Sequence, residues 1–134
     1  MSMLNIFNVS GSAVSAQSQR LNVVASNLAN ADTVAGPDGK AYKARQVVFQ
    51  TVLMGEQGAA GVQVAQVQED TTEGRRVHDP KNPAADADGY VTYSNVNAVE
   101  EMVNMISASR SYQNNVEVMT TAKSLLQKTL QLGN

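Results

Sequence analysis

The 134 residues carry 10 Lys plus Arg against 12 Asp plus Glu, a net charge of −2, so the chain lacks the basic footprint expected for nucleic acid or an anionic membrane. Hydrophobic residues make up 43% but aromatics only 4%, with no Trp, which favours narrow seams between helices over a core of large side chains. Cysteine is absent, excluding a disulfide framework and thiolate metal sites, and no apolar run is long enough to span a bilayer.

Met1 to Asn8 has neither a positive n-region nor a continuous h-region, so no cleaved secretory signal is expected. Composition alone would place the protein in the cytosol. From about Leu4 to Asn30 the spacing predicts a helix, with Phe7, Val14, Leu21 and Leu28 each seven residues apart. That period is the mark of a coiled-coil seam. Gly11, Ser18, Ser10 and Gln17 stand where such a seam wants Leu or Ile, so it is weak without a partner. Between Met1 and Ala31 the only charged residue is Arg20; the rest of the polar face is Ser, Asn and Gln. Side chains of that kind desolvate cheaply and still hydrogen-bond, which predicts a face that meets other protein.

Asp32 to Tyr42 breaks the periodicity, and Gly36-Pro37-Asp38-Gly39 has the residue order of a type I turn. Gln46–Val52 and Gly61–Val67 read as a hairpin or small sheet, with the second alternation slipping between Val64 and Val67. A third short strand is expected near Gly89–Tyr93, and Glu69–Asp88 reads as loop. Asn97 to Leu132 predicts a second long helix, with apolar residues at Val99, Met102, Val103, Ile106, Tyr112, Val116, Met119, Ala122, Leu126 and Leu130. Asn97 is its N-cap, with Glu100 at capping-box spacing, and Gly133 is its stop. At ~50 Å it exceeds the ~30 Å diameter of a compact chain of this size and needs a lengthwise partner. The first helix is the obvious one. The fold class expected is therefore mainly α with a small β insert. Segments 1–32 and 97–134 pair as a coiled coil, and 33–96 forms the insert.

No chemistry emerges from the remaining residues. His78 is the single histidine, no Gly-x-Ser-x-Gly elbow exists, and a triad would have to use that one loop residue. Asp86-Ala87-Asp88-Gly89 fails as a calcium loop, because Ala84 and Asn95 fall at the first and twelfth ligand positions. Lys40, Lys43 and Arg45, and Arg75-Arg76, lack the aromatic interleaving of a nucleic-acid site, and Gly55–Gly61 has no phosphate-loop ending. The expectation is no enzyme, no cofactor, no metal, no nucleic acid and no membrane insertion.

Ser10-Gly11-Ser12-Ala13, Ser15 through Asn22 and Ala25-Ser26-Asn27-Leu28-Ala29-Asn30-Ala31-Asp32-Thr33 resemble the N-terminal signature of the bacterial flagellar axial proteins. Asn95-Val96-Asn97, Glu101-Met102-Val103, Ser107 through Gln113, Asn115 through Val118 and Leu130 through Gly133 resemble the proximal-rod branch of that family, as do Pro83, Ala85-Asp86 and Gly89-Tyr90-Val91. Ser94 departs from the proline usual there. The resemblance implies a structural subunit of the basal-body rod that assembles with other rod and basal-body proteins and with copies of itself. It also implies a periplasmic location and export by the flagellar type III apparatus without a cleaved signal, which replaces the cytosolic expectation. On that reading Phe7, Val14, Leu21 and Leu28 face the C-terminal stripe. Gln17, Gln19, Arg20, Asn22, Asn27, Asn30, Arg110 and Gln113 are the intersubunit candidates.

Overall fold

The computed structural model describes residues 2–56 and 58–133. Its elements in chain order are α1 (Met3–Ala29), β1 (Arg45–Met54), β2 (Ala59–Glu69), β3 (Arg76–His78), β4 (Tyr90–Thr92) and α2 (Ala98–Leu132). The chain is mainly α with a small β insert: β1 pairs with β2, and β3 with β4, as separate two-stranded sheets. Both helix boundaries lie within one or two residues of those predicted, and each strand expected from the sequence is present. The residues gather into two compact units. One comprises Met1–Leu21, Val47–Gln66 and Ile106–Asn134, the other Asn22–Gln46 and Val67–Met105.

In the first unit α1 starts on Ser2, whose Oγ accepts the Asn5 amide at 3.2 Å. Its buried positions are Ser10, Ala16, Ala59, Gly61, Ala108 and Ala122, all small, as a narrow seam requires. Phe7, Val14 and Leu21 are half-buried. Along α2 the covered positions are Ala108, Tyr112, Asn115, Met119 and Ala122, which step by four and three like a heptad seam. Met119 lies over Gly11 of α1, where an added Cβ would stand 3.6 Å from the methionine Cε. Ile106, Val116, Leu126 and Leu130, expected on this stripe, are exposed. For Ile106 the reason is angular: Tyr112 is a step of six residues away, ~240° around a helix, so no single stripe holds both; Leu126 and Leu130 keep within ~20° of Met119 but lie beyond the covered stretch that ends at Ala122.

A two-stranded hairpin is marginal in water, and this one is seated on α1 through Ser12. The Ser12 hydroxyl lies 2.6 Å from the Val9 carbonyl, to which it donates, and accepts the Val62 amide at 3.1 Å. Gly61 permits that approach, since a Cβ there would overlap the side chains of Met54 and Ser12. Burial in β2 alternates at Ala59 and Gly61, shifts to Val62 and Val64 at the seat, and is lost beyond Val64, where Ala65 to Glu69 are all exposed. Gly61→Val should cost ~2 kcal/mol through overpacking, read as a lower urea midpoint at unchanged m-value. Gly11→Ala, where the new Cβ meets only ordinary contact, should hold or raise the midpoint.

The second unit is built on backbone groups tied to polar side chains. Gly39 donates to the Gly36 carbonyl at 2.9 Å, closing the turn the sequence predicts. β3 runs antiparallel to β4 with Arg76 opposite Thr92, Val77 opposite Val91 and His78 opposite Tyr90. It lies inside Glu69–Asp88, which the sequence assigns to loop: three residues with two charged or polar side chains give no local strand signal, and only the distant partner defines them. Val34 bridges Tyr93, and Val91 is fully buried. Asp86-Ala87-Asp88-Gly89 is a turn: the Asp86 carboxylate accepts the amides of Asp88 and Tyr90 at 3.0 and 2.9 Å, and Gly89 takes φ +83°. These bonds, that from Tyr90 foremost, and the nearby Arg76 hold the Asp86 carboxyl below the usual carboxylate range against some desolvation.

Candidate assembly surface

The polar residues proposed from sequence to meet other subunits divide into three groups. Gln19, Asn22, Arg110 and Gln113 are exposed. Gln17, Arg20 and Asn30 are half-buried: Arg20 donates to Gln17 at 3.4 Å, and the Asn30 amide closes onto the Ser26 carbonyl at 2.8 Å. Asn27 is not available to a neighbour. It is fully buried, and its amide clamps Arg45 like a strand partner, donating to the Arg45 carbonyl at 2.8 Å and accepting the Arg45 amide at 2.9 Å. Its Oδ1 also accepts the Tyr42 hydroxyl at 2.9 Å, so both acceptor sites of the amide oxygen are used within the chain.

Asn95, which the sequence offered only as part of a motif, performs the same task. Its Oδ1 accepts the Ala44 amide at 2.6 Å, while its Nδ2 donates to the carbonyls of Asp70 and Thr72 at 2.8 and 3.0 Å. Ser94 is buried and donates to the Ala31 carbonyl at 2.7 Å. Thus the chain leading into α2 is anchored residue by residue. Asn97 then caps the helix, its Oδ1 accepting the Glu100 amide at 3.2 Å and its carbonyl accepting the Glu101 amide at 3.0 Å.

That anchored start presents apolar side chains to the outside. Val99, Met102 and Val103 are 71%, 54% and 61% exposed. Glu101, about 200° around the helix from both valines, is buried. The helix is therefore covered by its own chain on one side and apolar on the other. Farther on, Val118, Leu125 and Leu132 are also exposed, spaced seven apart. Such residues along a helix mark a contact surface and not a solvated face.

The basic residues do not form a free site. A cavity of about 690 Å³ is lined by Lys40, Lys43, Arg45 and Arg76 together with Glu69 and Glu73. Within it Lys43 donates to the Thr72 carbonyl at 2.7 Å, Arg45 lies 5.9 Å from the Tyr42 ring centre, and Arg76 pairs with Asp86 at 3.2 Å. His78 stands edge-on to Tyr90, ring centres 5.0 Å apart. Among the described residues no group of three acidic, histidine or cysteine side chains is placed to hold a metal ion. No helix among them is long and apolar enough to cross a membrane.

Two family models match the chain. Residues 7–37 match the flagella basal body rod protein family, and residues 87–132 match the C-terminal region of the flagellar basal body rod FlgEFG proteins. A flagellar basal-body rod protein FlgC from Yersinia enterocolitica is 62% identical over 133 residues, 99% of each chain. FlgC of Salmonella typhimurium is 58% identical over the same span, and FlgC of Buchnera aphidicola from Schizaphis graminum 49% identical over 135 residues, again 99% of each. With identity of this order from end to end, the chain belongs to the FlgC family of flagellar basal-body rod proteins.

Proposed function

We propose that the chain is a non-enzymatic structural subunit of the flagellar basal-body rod, stacking with other rod proteins and with copies of itself in a periplasmic drive shaft that transmits torque. The observation that carries this reading is the anchored start of α2, where Val99, Met102 and Val103 face outward. A helix apolar on the side its own chain leaves uncovered needs a second protein. In the assembled rod, segments 1–32 and 97–134 form the inner axial part and 33–96 the outer part. The half-buried line of Phe7, Val14, Leu21 and Leu28 joins the two helices, and the exposed Gln19, Asn22, Arg110 and Gln113 meet neighbouring subunits. The chain takes its place in the proximal part of the rod, which it reaches through the flagellar type III apparatus without a cleaved signal. Small buried residues support that route, since a core in which the largest apolar side chains are Val24 and Val91 and the rest mainly Ala is cheaply unfolded.

Val103→Asp tests the reading. The site is exposed, so the purified variant should keep its stability within ~0.5 kcal/mol of the parent. A strain relying on it should swim no farther than one lacking the gene. Full motility with this variant contradicts the assignment of the outward α2 face to subunit contacts.

A further inference from the structure

A strand paired on one side only leaves alternate amides and carbonyls on its other side for a partner. β1 is such a strand, since its sheet holds β1 and β2 alone. The Ala44 carbonyl, just before β1, accepts the Asp70 amide on the β2 side at 2.8 Å, whereas the Arg45 amide and carbonyl turn the other way, to Asn27. Alternation along the strand then points the amides of Val47, Phe49, Thr51 and Leu53 away from β2. Among the described residues, none beyond Asn27 hydrogen-bonds to that edge. Nor is it guarded. Edge strands are ordinarily protected by charge, proline or a bulge, yet Gln46 through Met54 contain no charged residue and no proline. Phe49 and Leu53 stand exposed along it. Backbone groups so spaced take another extended backbone, and the chain itself carries a matching one. Ser12 takes the Val62 amide, but Ala65 through Glu69 of β2 are all exposed, and only Glu69 among them is charged. Four residues separate β1 from β2, too few for a crossover, so the two run antiparallel. A neighbour in the same orientation therefore offers its β2 to β1 in the antiparallel sense as well. That sense brings Arg45 toward the end of β2 that carries Glu69, and neither is ion-paired within its own chain, where the one pair among the described residues is Arg76–Asp86.

We infer that the outer edge of β1 takes β2 of a second copy of this chain as its next strand, so that hairpins of adjacent copies join into one antiparallel sheet. The inference rests on the rod reading above. Each copy gives one edge and receives one, a head-to-tail contact that continues from copy to copy among like-oriented subunits. Pairing of β1 with β1 about a two-fold axis would reverse the neighbour and does not suit a polar rod. A hairpin marginal as two strands is in this way completed by assembly.

The test uses the full chain, as purified protein and as the sole copy in a strain deleted for its own equivalent. Thr51→Pro removes one outward amide, and proline is tolerated on an edge whose N–H faces solvent, so the melting temperature of the free subunit should fall by only a few degrees. Gln50→Pro, whose amide faces β2, should lower it much further. Thr51→Pro should nevertheless abolish complete rods, and Thr51→Val, which restores the amide, should restore them. Because the chain has no cysteine, Thr51→Cys combined in turn with Gln66→Cys, Val67→Cys or Gln68→Cys reads the contact directly. Thr51 lies seven places after Ala44, opposite a residue about seven places before Asp70. Those three positions are therefore at least three places out of step within one chain, beyond disulfide reach. Oxidised basal bodies should yield a ladder of linked copies from at least one pair and none from the single variants. Complete rods with Thr51→Pro, a melting temperature that falls as far as with Gln50→Pro, or complete rods of all three pairs without a ladder each overturn the inference. If the wild-type chain itself builds no rods, the rod reading fails and this inference with it; wild-type rods beside any of those results sink the inference alone.

Discussion

Asn27→Ala should lower the melting temperature by roughly 10 °C, the largest effect expected of a single polar substitution in this chain. The change leaves the Arg45 amide and carbonyl without the partner that clamps them, and the Tyr42 hydroxyl with only Ser26 at 3.1 Å, around a side chain that is itself fully buried. Each buried group so stranded costs ~1–3 kcal/mol, so even partial relaxation leaves a loss of about 3 kcal/mol. Asn27→Asp restores the acceptor but not the donor to the Arg45 carbonyl, and should fall between parent and alanine variant only if it does not bring an unpaired charge. Asn27→Leu, close in volume, should be as damaging as alanine, because satisfaction of the backbone and not filling of space is what Asn27 supplies. Thermal unfolding by circular dichroism checks the series. A drop below 3 °C for alanine would show that Arg45 finds other partners.

Gly74→Ala should be of similar size for a different reason. A Cβ on Gly74 would fall on the Tyr93 carbonyl, a backbone group that cannot swing aside as a side-chain end can. That segment is fixed from both directions, since Tyr93 donates to the Arg75 carbonyl at 2.8 Å and Ser94 to the Thr33 carbonyl at 3.2 Å. The methyl therefore forces the β3–β4 ladder apart, and a loss of ~3 kcal/mol is expected, at the upper end for overpacking. Amide exchange should speed up at Arg76 through His78 and at Tyr90 through Thr92 while the first unit keeps its protection. Unchanged exchange at those residues would contradict the crowding.

The helices were legible because their signals are local. Asn97 caps α2 as its position promises, and the seven-residue spacing from Phe7 to Leu28 lies wholly within α1. Which face of α2 is covered was not legible. Apolar residues occur on two sides of that helix, and the covered positions include Ala108, Asn115, Ala122 and Glu101, small or polar residues that hydropathy does not mark. Hydropathy therefore pointed at Val99, Met102, Val103 and Ile106, the residues left exposed.

The polar residues misled in the opposite sense. Asn27 reads as one more amide on an uncharged helix, yet its partners lie 15 and 18 residues away on another segment. Asn95 reaches Ala44, 51 residues distant. No local pattern encodes such pairings, because the need arises in the loop whose backbone is being satisfied. Gly61 and Gly74 were invisible for the same reason: each is required by the atom that comes to lie against it. Family membership was the most legible feature of all, carried by combinations of residues at both ends of the chain.

The most direct measurement is a cryo-electron-microscopy map of basal bodies purified from a strain whose only copy of the subunit is this chain. The chain should lie within the rod, with Val99, Met102 and Val103 covered by a neighbouring subunit. Rods in which those three residues face solvent would contradict the assembly surface, and basal bodies without the chain would contradict its role in the rod altogether.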